Sequence, residues 1–170
     1  MQHLVEDVRG ALRAGHYYAA LGLALALPDI CGRLETPTTA GKARAIRWLK
    51  QHLQPAYTKA VGAPGDPHVF MTAEDCYALR CAYMHEGDTD IINQQARTVL
   101  DRFRFVVSPR GCLLHGNQLE RVLLLDVSVF CEEVCAAVEA WMRSVPADVA
   151  RRMAALPRVE AIDLSKGFSF

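Results

Sequence analysis

The chain has 170 residues, about half of them hydrophobic, and its nineteen Lys and Arg are balanced by nineteen Asp and Glu. That length can bury one good core and is short for two independent domains, so we expect one domain over residues 1–156 and a tail over 157–170. Zero net charge excludes a global field that would draw the protein onto a nucleic acid backbone or an anionic membrane, so any RNA binding must be local.

The opening Met1-Gln2-His3-Leu4-Val5-Glu6-Asp7 lacks the basic-then-apolar order of a signal peptide, and the longest apolar run, Tyr17 to Leu27, is too short to span a bilayer; a cytoplasmic protein is expected. Six cysteines, Cys31, Cys76, Cys81, Cys112, Cys131 and Cys135, then read as small buried apolar residues rather than disulfides. The pairs Cys131 with Cys135 and Cys81 with His85 lie one helical turn apart without the C-x-x-C partner that a zinc site would need, and neither metal nor cofactor is expected.

Leu4, Val8, Leu12, Ala19, Gly22 and Leu25 recur at helical steps, which predicts one long helix from about Val5 to Leu27, ended by Pro28. Pro28 to Gly32 reads as a turn with a short helical piece, and Asp29 most simply as a turn or cap residue, with a place near a catalytic cleft as its alternative. Thr36, Thr38 and Thr39 offer capping hydroxyls for a second helix from about Ala40 to Gln54, with Ile46, Leu49 and Leu53 inside and Pro55 as the stop. Val61 to Pro67 is a loop by composition. Thr72 followed by Asp75 resembles a capping box, after which Cys76, Leu79 and Tyr83 mark the inner face of a third helix that Gly87 ends.

The alternation of Phe103, Phe105 and Val107 with Arg102, Arg104 and Val106 predicts a strand, and Gln118 to Asp126 a second. We expect a small antiparallel hairpin or meander here, with Cys112 to His115 as a candidate middle strand. Val127, Cys131, Val134, Val138 and Trp141 restore the helical period, with Asp126 or Ser128 as N-cap, until Pro146; Ala147 to Leu156 suits a last short helix. The expected fold is mainly α, with the β insertion before the last long helix. Trp48 and Trp141 read as packing, Tyr17 and Tyr18 as core and interface aromatics, and His115 and Asn117 as turn residues without function.

The candidate site is Arg80 with His85, on the third helix. The arginine is a permanent cation that can grip a phosphate bidentately, and the imidazole can take or give a proton near neutral pH. Arginine and histidine also fall at this spacing by chance, the arginine paired to an acid such as Glu74 or Glu86. Five residues on a helix turn through about 140° and rise about 7.5 Å, so the two side chains do not share one face. A single helix makes a poor active site, whereas two copies side by side bring both pairs into one cleft.

The Arg80-x4-His85 helix in a mostly helical chain resembles the HEPN superfamily, whose signature is an arginine and a histidine four to six residues apart. Leu25 to Gly32, Tyr77 to Ala82 and Leu124 to Cys131 are similar to a plasmid- and actinobacteria-associated branch, and the resemblance spans roughly residues 15–145. It implies a bundle of four to five helices, a homodimer through the motif helix, and a composite metal-independent endoribonuclease site with Arg80 and His85 as catalytic residues. Many members are toxins paired with an antitoxin, or stress and phage-defence effectors; others bind nucleotides or partner proteins such as a nucleotidyltransferase. One departure is Cys81, a weak hydrogen-bonding group where many active members carry Asn or Asp after the arginine.

Overall fold

The computed structural model describes residues 1–63, 65–109 and 112–157. Among them lie six α-helices and five short strands: α1 (Gln2–Arg13), α2 (Tyr17–Glu35), α3 (Gly41–His52), a 3-10 turn (Gln54–Tyr57), β1 (Thr58–Val61), β2 (Asp66–Val69), α4 (Ala73–Glu86), β3 (Arg102–Val106), β4 (Asn117–Leu119), β5 (Val122–Asp126), α5 (Val127–Ser144) and α6 (Ala147–Ala154). The chain is mainly helical, as expected. The tail expected over 157–170 lies, from residue 158 on, outside the described residues.

The expected single helix from Val5 to Leu27 is two helices. Gly15 takes a left-handed φ of 74°, and the His16 N–H bonds back to the Ala11 carbonyl at 2.8 Å, closing α1 before α2 begins. The apolar period runs across the break because both helices supply the same core, with Val5, Val8, Ala20 and Ala24 all fully buried. Pro28 does not end the second helix, which continues to Glu35. A proline inside a helix costs about 3 kcal/mol in lost hydrogen bonding and crowding. Here it is buried, with Leu27 and Cys31 fully buried beside it, and tertiary packing offsets that cost. Asp29 is therefore a mid-helix residue rather than a turn.

Of the threonines expected to open the next helix, Thr36 instead closes α2. Thr36 Oγ1 donates to the Gly32 carbonyl at 3.1 Å and accepts from Arg47 Nη2 at 2.6 Å, while α3 starts from Ala40 with no side-chain cap. Residues 61–67, expected as loop throughout, contain parts of an antiparallel hairpin in which Thr58 pairs with Val69 and Val61 with Asp66. Gly62 and Gly65, both at φ 72°, make its turn, and Pro67 is tolerated because every strand of a two-stranded ribbon is an edge.

The second sheet has the order β3-β5-β4. Its β4–β5 pair is antiparallel, but β3 runs parallel to β5, with Arg102 opposite Val122 and Val106 opposite Asp126. The expected hairpin is thus corrected in two respects: the middle strand is β5, and Cys112 to His115 is not a strand. Asp126 accounts for the arrangement. Its carboxylate accepts the N–H groups of Ser128 and Val129 as the α5 N-cap, and that of Ser108 at 2.8 Å, so one side chain ends β5, starts α5 and fixes the exit of β3.

α2 packs against α1, α3, α4, α5 and α6 and forms the axis of the core. Trp48 and Trp141 meet edge to face at 6.4 Å in its centre, and the Trp141 indole donates to Glu35 Oε1 at 2.6 Å. Phe103, Leu123 and Leu125 bring the sheet into the same core as Phe130 of α5. All six cysteines are unbridged; four are buried as expected, Cys81 is half-buried, and Cys112 is exposed, contrary to the expected burial. No helix among the described residues is long and apolar enough to cross a membrane.

Candidate functional site

α4 carries the candidate pair, and its two ends are set by short-range chemistry. Thr72 Oγ1 accepts the Asp75 N–H at 3.0 Å, and Gly87, at φ 69°, supplies the left-handed residue that stops the helix. Asp75 does more than close a capping box. It is fully buried, and its carboxylate accepts the Thr98 and Val99 N–H groups at 2.7 and 3.1 Å as well as the Thr72 hydroxyl at 2.7 Å. The start of α4 is thereby clamped to the segment that leads into β3. Only the spacing of Thr72 and Asp75 hinted at this role.

In the middle of α4, Arg80 Nη2 lies 3.0 Å from Asp29 Oδ2 of α2, both side chains about a quarter exposed. The acid that meets Arg80 is therefore neither Glu74 nor Glu86; Glu86 instead accepts from Gln94 Nε2 at 2.8 Å. Arg80 Nε is buried without a hydrogen-bond partner among the described residues. Tyr77, one turn earlier, joins the cluster, and sequence reasoning gave it no role. Burial pushes its hydroxyl pKa up, the neighbouring Cys81 thiol adds to this, and the Arg80 guanidinium opposes it. The position after the arginine is thus occupied by a thiol beside a tyrosine.

His85 sits in the last turn of α4, exposed, with no hydrogen bond or ion pair to any described residue. Arg80 is anchored against α2 and His85 faces solvent, as the angular offset predicted, so one chain brings one cation and one imidazole to the rim of α4 and no more. Among the described residues no three His, Cys, Asp or Glu side chains gather to hold a metal ion.

Two other places combine polar and apolar groups. His115, expected to be idle, is nearly buried: its Nε2 lies 3.2 Å from Glu133 Oε2, which also accepts from the Tyr57 hydroxyl. Burial first, and then the Glu133 charge, push the Tyr57 hydroxyl far up its range, so this cluster ties the 3-10 turn and the segment before β4 onto α5 with a neutral phenol. The other is a groove of about 320 Å³ between α2, α4 and β3, lined by Tyr17, Tyr18, Leu21, Tyr83 and Phe105 among others. Tyr17 is half-buried against the core, as expected of a core aromatic, and Tyr18 is 84% exposed.

No protein-family model, curated protein or solved structure matches this chain.

Proposed function

We propose that this protein is a metal-independent endoribonuclease of HEPN type that works as a homodimer, its two α4 helices side by side, with the part of a toxin or of a stress or phage-defence effector. The observation that supports the reading best is that Arg80 is held by Asp29 while His85, five residues on, is exposed and unpartnered among the described residues. An arginine has five N–H donors, and an ion pair through Nη2 orients the fork while leaving donors for a phosphate.

In the shared cleft His85 removes the proton of a ribose 2′-OH, which attacks the neighbouring phosphorus, and Arg80 stabilises the charge that builds on the phosphoryl oxygens. The second protomer's copy of the same histidine protonates the leaving 5′ oxygen. The products are a 2′,3′-cyclic phosphate and a 5′-hydroxyl, and DNA is inert because it lacks the nucleophile. The test is RNA cleavage in EDTA by the wild type, His85→Ala and Arg80→Ala, with product ends read by mass spectrometry. Each variant is expected to lose about a hundredfold to ten-thousandfold in rate. Unchanged cleavage in both ends the proposal.

A second reading has its own support in Asp29 and Cys81: the carboxylate offsets the Arg80 charge, and the thiol replaces the polar residue common in active members. On this reading the protein is a catalytically silent HEPN dimer that binds a nucleotide or a protein, such as an antitoxin or nucleotidyltransferase. Growth separates the two. An active toxin slows its host on expression, and Arg80→Ala or His85→Ala relieves the effect; healthy cells expressing the wild type favour the silent module.

A further inference from the structure

The outer edge of β3 is half covered. The short segment after α4 pairs with its first residues: the Ile91 N–H donates to the Asp101 carbonyl at 2.8 Å, the Phe103 N–H donates to the Thr89 carbonyl at 2.9 Å, and Asp90 bridges to Arg102. Beyond Thr89 the chain turns away into α4. In the parallel ladder with β5, Arg102, Arg104 and Val106 direct their backbone groups toward β5, which turns those of Phe105, and of Val107 just past the end of the strand, to the other side. Among the described residues nothing pairs with that side of Phe105 or Val107.

The groove runs along this open stretch. Leu21, Tyr17 and Tyr83 are its apolar lining on the helix side, Phe105 and Val107 its strand side, and Val107 remains 54% exposed. Tyr83 is held in place by its hydroxyl, which donates to the Tyr18 carbonyl at 2.9 Å. Unpaired backbone donors and acceptors beside an apolar trough suit an added strand: the backbone supplies affinity and alternate side chains fill the trough.

The charges select among strands. On the opposite face of β3 from Phe105 stand Arg102 and Arg104; Arg102 is spoken for by Asp90, while Arg104 is exposed and lines the groove. A second copy of β3, laid antiparallel about Phe105, would set two Arg104 side chains diagonally across one face, and like charges there repel. An acidic residue in that place attracts.

We infer that the open edge of β3 and its groove bind an extended peptide of a protein partner, in which apolar side chains alternate with acidic ones and which adds to the sheet as a fourth strand. The apolar residues enter the trough between α2 and α4, and the acids lie against Arg104. This binding site is independent of the ribonuclease reading, because Arg80 and His85 take no part in it.

The test uses the whole protein and a short end-capped peptide in which valine alternates with glutamate, followed by fluorescence anisotropy and backbone amide shifts. Saturable binding is expected, with the largest shifts at Phe105 and Val107, and it should disappear when the peptide amides facing β3 are N-methylated. Arg104→Glu should weaken binding of this peptide about fivefold or more and turn the preference toward a valine–lysine peptide. Absence of saturable binding, equal binding by the N-methylated peptide, self-association of the protein through the same amides, or a preference untouched by Arg104→Glu overturns the inference.

Discussion

Arg80 and Asp29 lie 3.0 Å apart across the contact between α4 and α2, joining the one cation of the candidate pair to the residue directly after a proline inside a helix. The pair is about a quarter exposed on each side, so its worth to folding is small, about 1 kcal/mol or less. Its consequence is orientation. Asp29→Asn should leave the melting temperature within a few degrees of wild type and, on the proposed ribonuclease reading, slow RNA cleavage by about tenfold, a milder defect than Arg80→Ala. A variant that cleaves as fast as wild type would show that Asp29 does not position the guanidinium.

Asp75 predicts the opposite balance, a large structural effect without a chemical role. Removing its carboxylate takes the acceptor from the part-buried N–H groups of Thr98 and Val99 and leaves the Thr72 hydroxyl with Thr98 Oγ1 alone. Asp75→Ala should cost roughly 3 kcal/mol, the upper end for hydrogen bonds to a charged group, and hydrogen exchange should accelerate at Thr98, Val99 and Leu100. Asp75→Asn, which keeps one acceptor oxygen, should recover part of the loss. Unchanged exchange at these amides in the alanine variant would refute the clamp.

These two acids mark what could be read from the chain. Thr72, Asp75 and Gly87 define α4 within sixteen residues, and Asp126 opens α5, because caps and left-handed stops are local devices. The inner faces of both helices, Cys76 and Leu79 in one, Val134 and Trp141 in the other, followed from the 3.6-residue period. The partner of Arg80 is 51 positions away, between Asp29 and Arg80, and no local pattern encodes it. The same holds for the parallel pairing of β3 with β5: alternation identifies a strand and says nothing of its direction. Pro28 misled because a helix breaker is only a local preference, which burial among Leu27, Cys31 and Leu34 overrides.

Acid should weaken the contact between α1 and α5. Arg9 donates through Nη1 and Nη2 to both oxygens of Glu139, at 2.6 and 3.2 Å, and through Nε to Glu132 at 2.9 Å. The hydrogen bond from Arg9 holds the Glu139 carboxyl below its usual range, with burial acting more weakly in the other direction. A carboxyl lowered by folding contributes stability above its unfolded pKa, about 4.3 for Glu, and loses it as the pH falls through the folded value. Arg9→Met should therefore lower the unfolding free energy from urea titration at pH 7, by about 1 kcal/mol or less for a partly exposed pair, and make a smaller difference near pH 2.5. An equal deficit at both pH values would assign the effect to lost packing of the arginine stem.

Gly32, expected in a turn, sits inside α2 where the helix crosses α3. A Cβ built on it would lie 2.8 Å from the Arg44 carbonyl oxygen and 3.0 Å from its carbon, both backbone atoms of the neighbouring helix. Alanine is favoured over glycine in a helix by up to about 1 kcal/mol, while overpacking typically costs about 1–3 kcal/mol. The second effect should win, because a backbone carbonyl cannot swing aside as a side chain can, and Gly32→Ala should destabilise the protein. Gly10 in α1 is the control: its added Cβ would meet only Arg13 Nη2, at 3.8 Å, so propensity alone acts and Gly10→Ala should stabilise. Thermal melts of the two variants should shift in opposite directions, and a rise in both would mean that α2 and α3 can separate at this crossing without loss.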